Sequence, residues 1–303
     1  GGPTDPDRWE PSVGVGPLVN FFGPQDFPMF CLRRWIALSC FLLLVLAAAP
    51  LMTTPAAACG PDSDCVLSTR IYRIAMPEGH DGKTQVGAII YMHGYRGTAS
   101  GAIKNQGLRR IANELGVALV TAKSFAADWA LPNAPSRKGD GSVEIAYFEA
   151  LIDDIARRFP IDKTRLLATG FSAGGMMTWT LACSLGQSFM GFAPIAGTFW
   201  DPVPNTCDSG PVNLIHYHGT SDKVVPLLGR KIADTKQGEV PAALELMRGT
   251  GTYGSVERSI DGDLACELQR EVNGSRLEFC THGGGHHFSA RYIKRAWEIF
   301  ARE

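Results

Sequence analysis

Arg165-Leu166-Leu167-Ala168-Thr169-Gly170-Phe171-Ser172-Ala173-Gly174-Gly175-Met176-Met177 is the stretch on which the fold turns. Arg165 to Thr169 reads as a strand, and Gly175 to Leu185 as a helix. Between them Gly170-Phe171-Ser172-Ala173-Gly174 fits G-x-S-x-G, a sharp strand-to-helix turn that lifts a serine hydroxyl clear of a sheet, with glycines where side chains would collide. With 34 glycines in 303 residues the pattern alone carries little weight. The strand before it and the helix after it give it meaning.

Outward from this turn, apolar runs bounded by turn residues recur at Gly87 to Met92, Val117 to Ala122, Met190 to Ile195 and Val212 to Tyr217. Such runs suit strands buried on both faces. Helical patterns lie between them. Leu108 to Leu115 places Leu108, Ile111, Ala112 and Leu115 on one side, and Ile145 to Phe159 carries Ala146, Leu151, Ile152 and Ile155 before Pro160 stops it. The alternation predicts an α/β architecture, a mostly parallel sheet with helices on both faces. Near the end, Leu264 to Gln269 and Leu277 to Thr281 flank Asn273-Gly274, a hairpin signal, and a final amphipathic helix spans about Ala290 to Phe300.

A serine hydroxyl is a poor nucleophile at neutral pH, so Ser172 needs a base and an acid group to orient that base. In α/β-hydrolase folds the order along the chain is Ser, Asp or Glu, His. Asn213 to His218 reads as a strand leading into Gly219-Thr220-Ser221-Asp222, which puts Asp222 in the loop after a strand end, where the acid belongs. For the base, Gly283-Gly284-Gly285-His286-His287 offers histidine on a glycine-rich loop; His286 is preferred, with His287 and His282 as rivals that glycine flexibility does not separate. His216 alternates within its strand as a packed core residue, and His218 points the same way as a buried hydrogen-bonded group. The oxyanion of an acyl-transfer intermediate needs two aimed N–H donors. Tyr91-Met92-His93-Gly94-Tyr95-Arg96-Gly97 ends a strong strand with an H-G turn, so the backbone N–H groups of Tyr95 and Ala173 are expected to supply them. His93 is then scaffold.

With 29 basic and 30 acidic residues the chain has a formal net charge of −1, and no Lys/Arg cluster of nucleic-acid type occurs, which argues against nucleic-acid binding. Position 1 is Gly and the first methionine is Met29, so residues 1–28 are expected to be an upstream or non-native segment. Arg33-Arg34, the apolar run Trp35 to Ala49 and Ala56-Ala57-Ala58 before Cys59 read as a secretory signal over 29–58. Pro50 and Pro55 interrupt the run too early for a membrane span, so no stable membrane insertion is expected after signal removal. Residues 59–303 are then one catalytic domain, secreted or periplasmic. Lipidation at Cys59 is the alternative, but it would strand one thiol. Six cysteines remain after Cys31 and Cys40, and an even set suits an oxidising compartment. Local closure favours Cys59 with Cys65, Cys183 with Cys207, and Cys266 with Cys280. A two-residue Asn273-Gly274 loop would set Cys266 opposite Thr281, so the third bridge demands a three-residue loop or a bulge, with positive φ at Gly274. No cysteine spacing matches a zinc site, so no metal is expected.

Taken together, His93-Gly94-Tyr95, Gly170 to Met177, Ala193-Pro194-Ile195-Ala196-Gly197-Thr198, His218-Gly219-Thr220-Ser221-Asp222-Lys223-Val224-Val225-Pro226 and Gly283-Gly284-Gly285-His286 resemble the secreted polyhydroxybutyrate depolymerase and feruloyl esterase group of α/β hydrolases. The resemblance covers nearly all of residues 59–303 and keeps motif order. It implies Ser172 as nucleophile, Asp222 as acid and His286, directly after the three glycines, as base, and it adds support to the pairing of Cys183 with Cys207. Where the group commonly has Thr-Trp-Pro after the histidine, this chain has His287-Phe288-Ser289. Trp129, Trp200, Phe288 and Tyr95 are candidates to line an acyl cleft. The expected activity is serine-dependent hydrolysis of a small or oligomeric ester, hydroxybutyrate, feruloyl or acetyl, with no cofactor. A serine peptidase or acyltransferase on the same fold, or a catalytically silent binding protein, is the rival reading.

Overall fold

The computed structural model describes residues 59–135 and 139–303; the expected signal and upstream segments lie outside them. The chain order is β1 (Cys65–Leu67), β2 (Arg70–Ala75), β3 (Val86–Met92), α1 (Ala99–Ile103), α2 (Gln106–Leu115), β4 (Ala118–Ala122), α3 (Ser142–Arg158), β5 (Ile161–Phe171), α4 (Ala173–Ser184), β6 (Gly191–Ile195) and β7 (Leu214–Gly219). There follow β8 (Lys231–Ile232), β9 (Thr235–Lys236), α5 (Val240–Arg248), β10 (Glu257–Asp261), β11 (Leu264–Arg270), β12 (Arg276–His282) and α6 (Ala290–Phe300).

Ten strands form one sheet in the order β1-β2-β4-β3-β5-β6-β7-β12-β11-β10, and β8 pairs with β9 alone. The six strands from β4 to β12 in that order run parallel; β2 and β1 continue one edge antiparallel, and β11 and β10 the other. The apolar runs read from the sequence are the parallel centre. Their side chains alternate between two cores because successive residues of a strand point to opposite faces. Ile90 and Leu166 meet Phe148 and Leu151 of α3, Met177 of α4 and Leu244 of α5 in one cluster, while Ile89 and Leu167 meet Leu108 and Ile111 of α2 and Ile293 and Trp297 of α6 in the other. Helices therefore cover both faces, as the pattern predicts. No helix among the described residues is long and apolar enough to cross a membrane.

Local chemistry explains the element ends. Asn105 caps α2, its side chain accepting from Leu108 N, and Gly116 closes the same helix in the left-handed conformation at φ 65°. The β11/β12 hairpin sets Cys266 opposite Cys280 and Ala265 opposite Thr281. Glu271 N donates to Ser275 O, so Val272-Asn273-Gly274 is a three-residue loop, and Gly274 takes φ 102°. That is the register the disulfide requires. The structure joins Cys59 to Cys65, Cys183 to Cys207 and Cys266 to Cys280. They tie β1 to the segment before it, α4 to the loop after β6, and β11 to β12.

Candidate active site

Ser172 sits between β5 and α4 at φ 58° and ψ −120°, a conformation that costs a side-chain-bearing residue energy and is held by its surroundings. Ser172 N donates to Ile195 O on β6 at 2.9 Å, and Ser172 O accepts from Met176 N at 2.9 Å. The flanking glycines leave no room for anything larger. A Cβ on Gly174 would lie 2.0 Å from the Met92 carbonyl oxygen, and one on Gly170 would lie 2.4 Å from the Gly174 carbonyl oxygen. The turn is thus wedged against the end of β3. Ala173 opens α4, so its N–H belongs to the first helical turn, where no carbonyl of the helix can accept it. The helix dipole adds positive potential there.

The loop after β3 reaches the same point. A Cβ on Gly94 would lie 3.5 Å from Ser172 Cβ, and Tyr95 follows, half exposed. His93 anchors this loop from below. Its Nδ1 donates to Gly94 O at 2.8 Å while its Nε2 accepts from Ser124 N at 3.2 Å, so both nitrogens are occupied and the ring is neutral. Burial pushes its pKa down to about 4. A histidine so held is scaffold.

Asp222 and His286 arrive on two loops that interlock. Thr220 N donates to His282 O at 2.8 Å, Ser221 N to Gly284 O at 3.1 Å, and a Cβ on Gly219 would lie 2.3 Å from the Gly284 carbonyl oxygen. Asp222 is buried. Its Oδ1 accepts from Val224 N and Val225 N at 2.8 and 2.9 Å, and its Oδ2 accepts from His286 Nδ1 at 2.7 Å. That bond places a proton on Nδ1, so in the neutral ring the lone pair is on Nε2. The imidazole lies against Phe171, the residue before Ser172, with ring centroids 4.6 Å apart. Neither rival shares this position. His282 Nδ1 accepts from Gly284 N at 3.1 Å and its ring stacks on Tyr292, and His287 is exposed with its ring edge on His282.

Beside Ser172 and Ala173 opens a cavity of about 420 Å³. Tyr95, Met176, Trp200, Val225 and Ile232 form much of its wall, with Arg230 and Gln237 among them.

Among curated proteins the chain is 25% identical to feruloyl esterase D of Neurospora crassa over 88% of this chain and 97% of that protein. It is also 25% identical to feruloyl esterase C of Emericella nidulans, over 54% of this chain and 58% of that one. For several other relatives the match spans about half to three fifths of their length. The chain has the α/β-hydrolase fold and is similar in sequence to the feruloyl esterase group. No family model matches the chain. Its fold is that of acetyl xylan esterase from Aspergillus awamori, at a TM-score of 0.56 and 14% identity over 76% of this chain and 94% of that one. It is also that of S-formylglutathione hydrolase from Staphylococcus aureus, at 0.50 and 15% over 78% and 96%.

Two of the expected cleft residues lie elsewhere. Trp129 is fully buried, donates from Nε1 to the His93 carbonyl oxygen at 2.9 Å and packs on Phe148, so it supports the Tyr95 loop from behind. Phe288 packs on Tyr91 and Phe171 and belongs to the core cluster of α2 and α6, on the opposite side of the sheet from the Met176 wall. Trp200 does line the cavity. Sequence reading missed Arg230, Gln237 and Ile232. They come from the β8/β9 excursion, whose two-residue strands carry no periodic signal. Among the described residues one close group of potential metal ligands occurs, Cys266, Glu278 and Cys280, and its two sulfurs are bonded to each other.

Proposed function

We propose that the chain is an exported serine esterase in which Ser172, His286 and Asp222 act as one unit. Ser172 Oγ attacks the ester carbonyl while His286 Nε2 takes its proton, and Asp222 stabilises the imidazolium that forms. The Tyr95 and Ala173 N–H groups receive the developing oxyanion. His286 returns the proton to the departing alcohol. A water molecule, activated by the same nitrogen, then releases the acid and restores Ser172. The observation that carries this reading is the 2.7 Å bond from His286 Nδ1 to the buried Asp222, in a ring that packs on Phe171, the residue before Ser172; in the neutral ring that bond puts the lone pair on Nε2.

The cavity beside Ser172 has a volume for a modest acyl group and walls for an aromatic or aliphatic one. The likeness to feruloyl esterases favours feruloyl or acetyl esters over hydroxybutyrate oligomers. Three disulfides support export to an oxidising compartment. A panel of acetyl, feruloyl and 3-hydroxybutyrate esters, each beside its matched amide, tests the proposal. Turnover of at least one ester with the amides far slower is expected. Absence of turnover across the panel, or amides cleaved as fast, would refute it.

A further inference from the structure

His216 and His218 project from the same face of β7, and both are fully buried. Four ring nitrogens share three contacts. His216 Nδ1 lies 3.0 Å from the Pro194 carbonyl oxygen, His216 Nε2 lies 2.9 Å from His218 Nδ1, and His218 Nε2 lies 2.7 Å from the Val225 carbonyl oxygen. Carbonyl oxygens only accept, so hydrogen bonds at both ends require protons on His216 Nδ1 and His218 Nε2. Two neutral rings have no further proton, and their inner nitrogens would then face each other lone pair to lone pair. Every other neutral assignment sets a bare nitrogen against a carbonyl oxygen. Only a third proton, between the rings, satisfies all three contacts.

We propose that His216 and His218 hold three protons between them, forming a single shared imidazolium charge that serves as the buried counter-ion of Asp222. Asp222 Oδ2 lies 3.6 Å from His218 Nε2. From the next strand Phe279 stacks on His216 at 5.7 Å and 13°, and from α4 Trp179 lies at 5.2 Å, tilted by 55°, so an aromatic face meets the ring that shares the charge. The titratable groups that bear on His218 from the neighbouring loops are Asp222, which favours a positive charge, and His286 and His282, which oppose one. Burial pushes both rings toward neutrality and each ring's charge opposes the other's, while the two carbonyls pull the opposite way. The balance lowers both rings below the ordinary histidine value, which opposes a second charge on the pair; the single shared proton rests on the three contacts. Whenever His286 carries no charge, as the base of the proposed mechanism must before it takes a proton, the buried carboxylate would otherwise stand without a counter-charge, which is costly in a low dielectric. The histidine pair thus positions the acid of the triad without touching substrate. This role rests on the esterase reading, whereas the proton count rests on the three contacts alone.

The test is NMR on protein carrying 15N-labelled histidine at about pH 8, where an unperturbed imidazole is neutral. Long-range 1H–15N spectra count the protonated ring nitrogens, and through-space contacts to Trp179 and Phe279 identify the pair in the wild-type protein. Three protonated nitrogens and one bare one are expected; two and two would overturn the proposal. A second arm uses His218→Gln, which keeps a donor for Val225 but carries no charge. Loss of the positive charge favours protonated His286, so the acid limb of kcat/KM should move up by about one pH unit. A lower kcat with an unmoved acid limb would overturn the counter-ion role. Should the wild-type protein hydrolyse no ester, the functional reading fails, yet the nitrogen count still decides the charge.

Discussion

Two loops close on Ser172 from opposite sides, and each carries a histidine. The loop after β3 is fixed by His93, whose two nitrogens are spent on Gly94 O and Ser124 N. The loop after β12 is fixed by the backbone of the Asp222 loop, and His286 spends only Nδ1, on Asp222. In the proposed mechanism, what separates scaffold from base is the number of nitrogens already committed. A ring with two committed nitrogens holds a loop in place, and a ring with one committed and one lone pair exposed can move a proton.

The largest effect is expected from deleting the ring with one committed nitrogen, set against its sequence neighbour. His286→Ala should lower kcat/KM by about a thousandfold or more, as expected for loss of a triad member. His287→Ala should stay within about threefold of wild type. Steady-state kinetics on an activated ester checks both, and the reverse ranking would move the base by one residue.

The support of the second loop can be cut without touching its histidine. Replacing Cys266 and Cys280 together by serine removes a closure over 14 residues, which should cost about 3 kcal/mol in denaturant unfolding. Because β12 leads directly into the His286 loop, turnover should also fall severalfold. Serine replacement of Cys59 and Cys65, which close a separation of 6 residues away from the loop, should cost about 2 kcal/mol and leave turnover unchanged. Equal effects of the two pairs on turnover would remove the hairpin from the site's support.

For the first loop the sharpening variable is pH. His93 is neutral in the folded chain with its pKa depressed to about 4, against about 6.5 in the unfolded chain, so the unfolded state binds more protons between those values. Stability should therefore be complete above about pH 6.5 and decline as pH falls toward 4. Between pH 7 and pH 5 the loss is about 2 kcal/mol. Urea unfolding of wild type and His93→Gln checks it, since the variant's profile should be flatter by that amount. Parallel profiles would show that His93 does not carry the dependence.

The smallest effect is expected at the cavity wall. Trp200→Phe should raise KM for aromatic acyl esters about threefold to tenfold and leave acetyl esters nearly unchanged. Equal change for both would place the acyl group elsewhere.

Much of this arrangement was legible from residue order. The central strands announce themselves as apolar runs because both their faces are buried, and the three triad candidates stand at strand ends in the order such a fold requires. The edges were not legible. All five residues of β10 are exposed, so the strand exists through its pairing with β11 and leaves no hydrophobic pattern to read. Trp129 was misread because composition does not reveal which side of a loop an aromatic ring takes; its indole N–H found the carbonyl of His93. His218 and Asp222 are four residues apart, but their contact is made by the turn at Gly219, which strand periodicity does not encode.

The central claim is that the strained turn at Ser172 presents a nucleophile activated by His286. Labelling with a fluorophosphonate probe followed by peptide mass spectrometry tests it most directly. The adduct should appear on Ser172 in the wild-type protein and be lost in His286→Ala that remains folded. Labelling at another residue, or undiminished labelling of Ser172 in His286→Ala, would contradict the account.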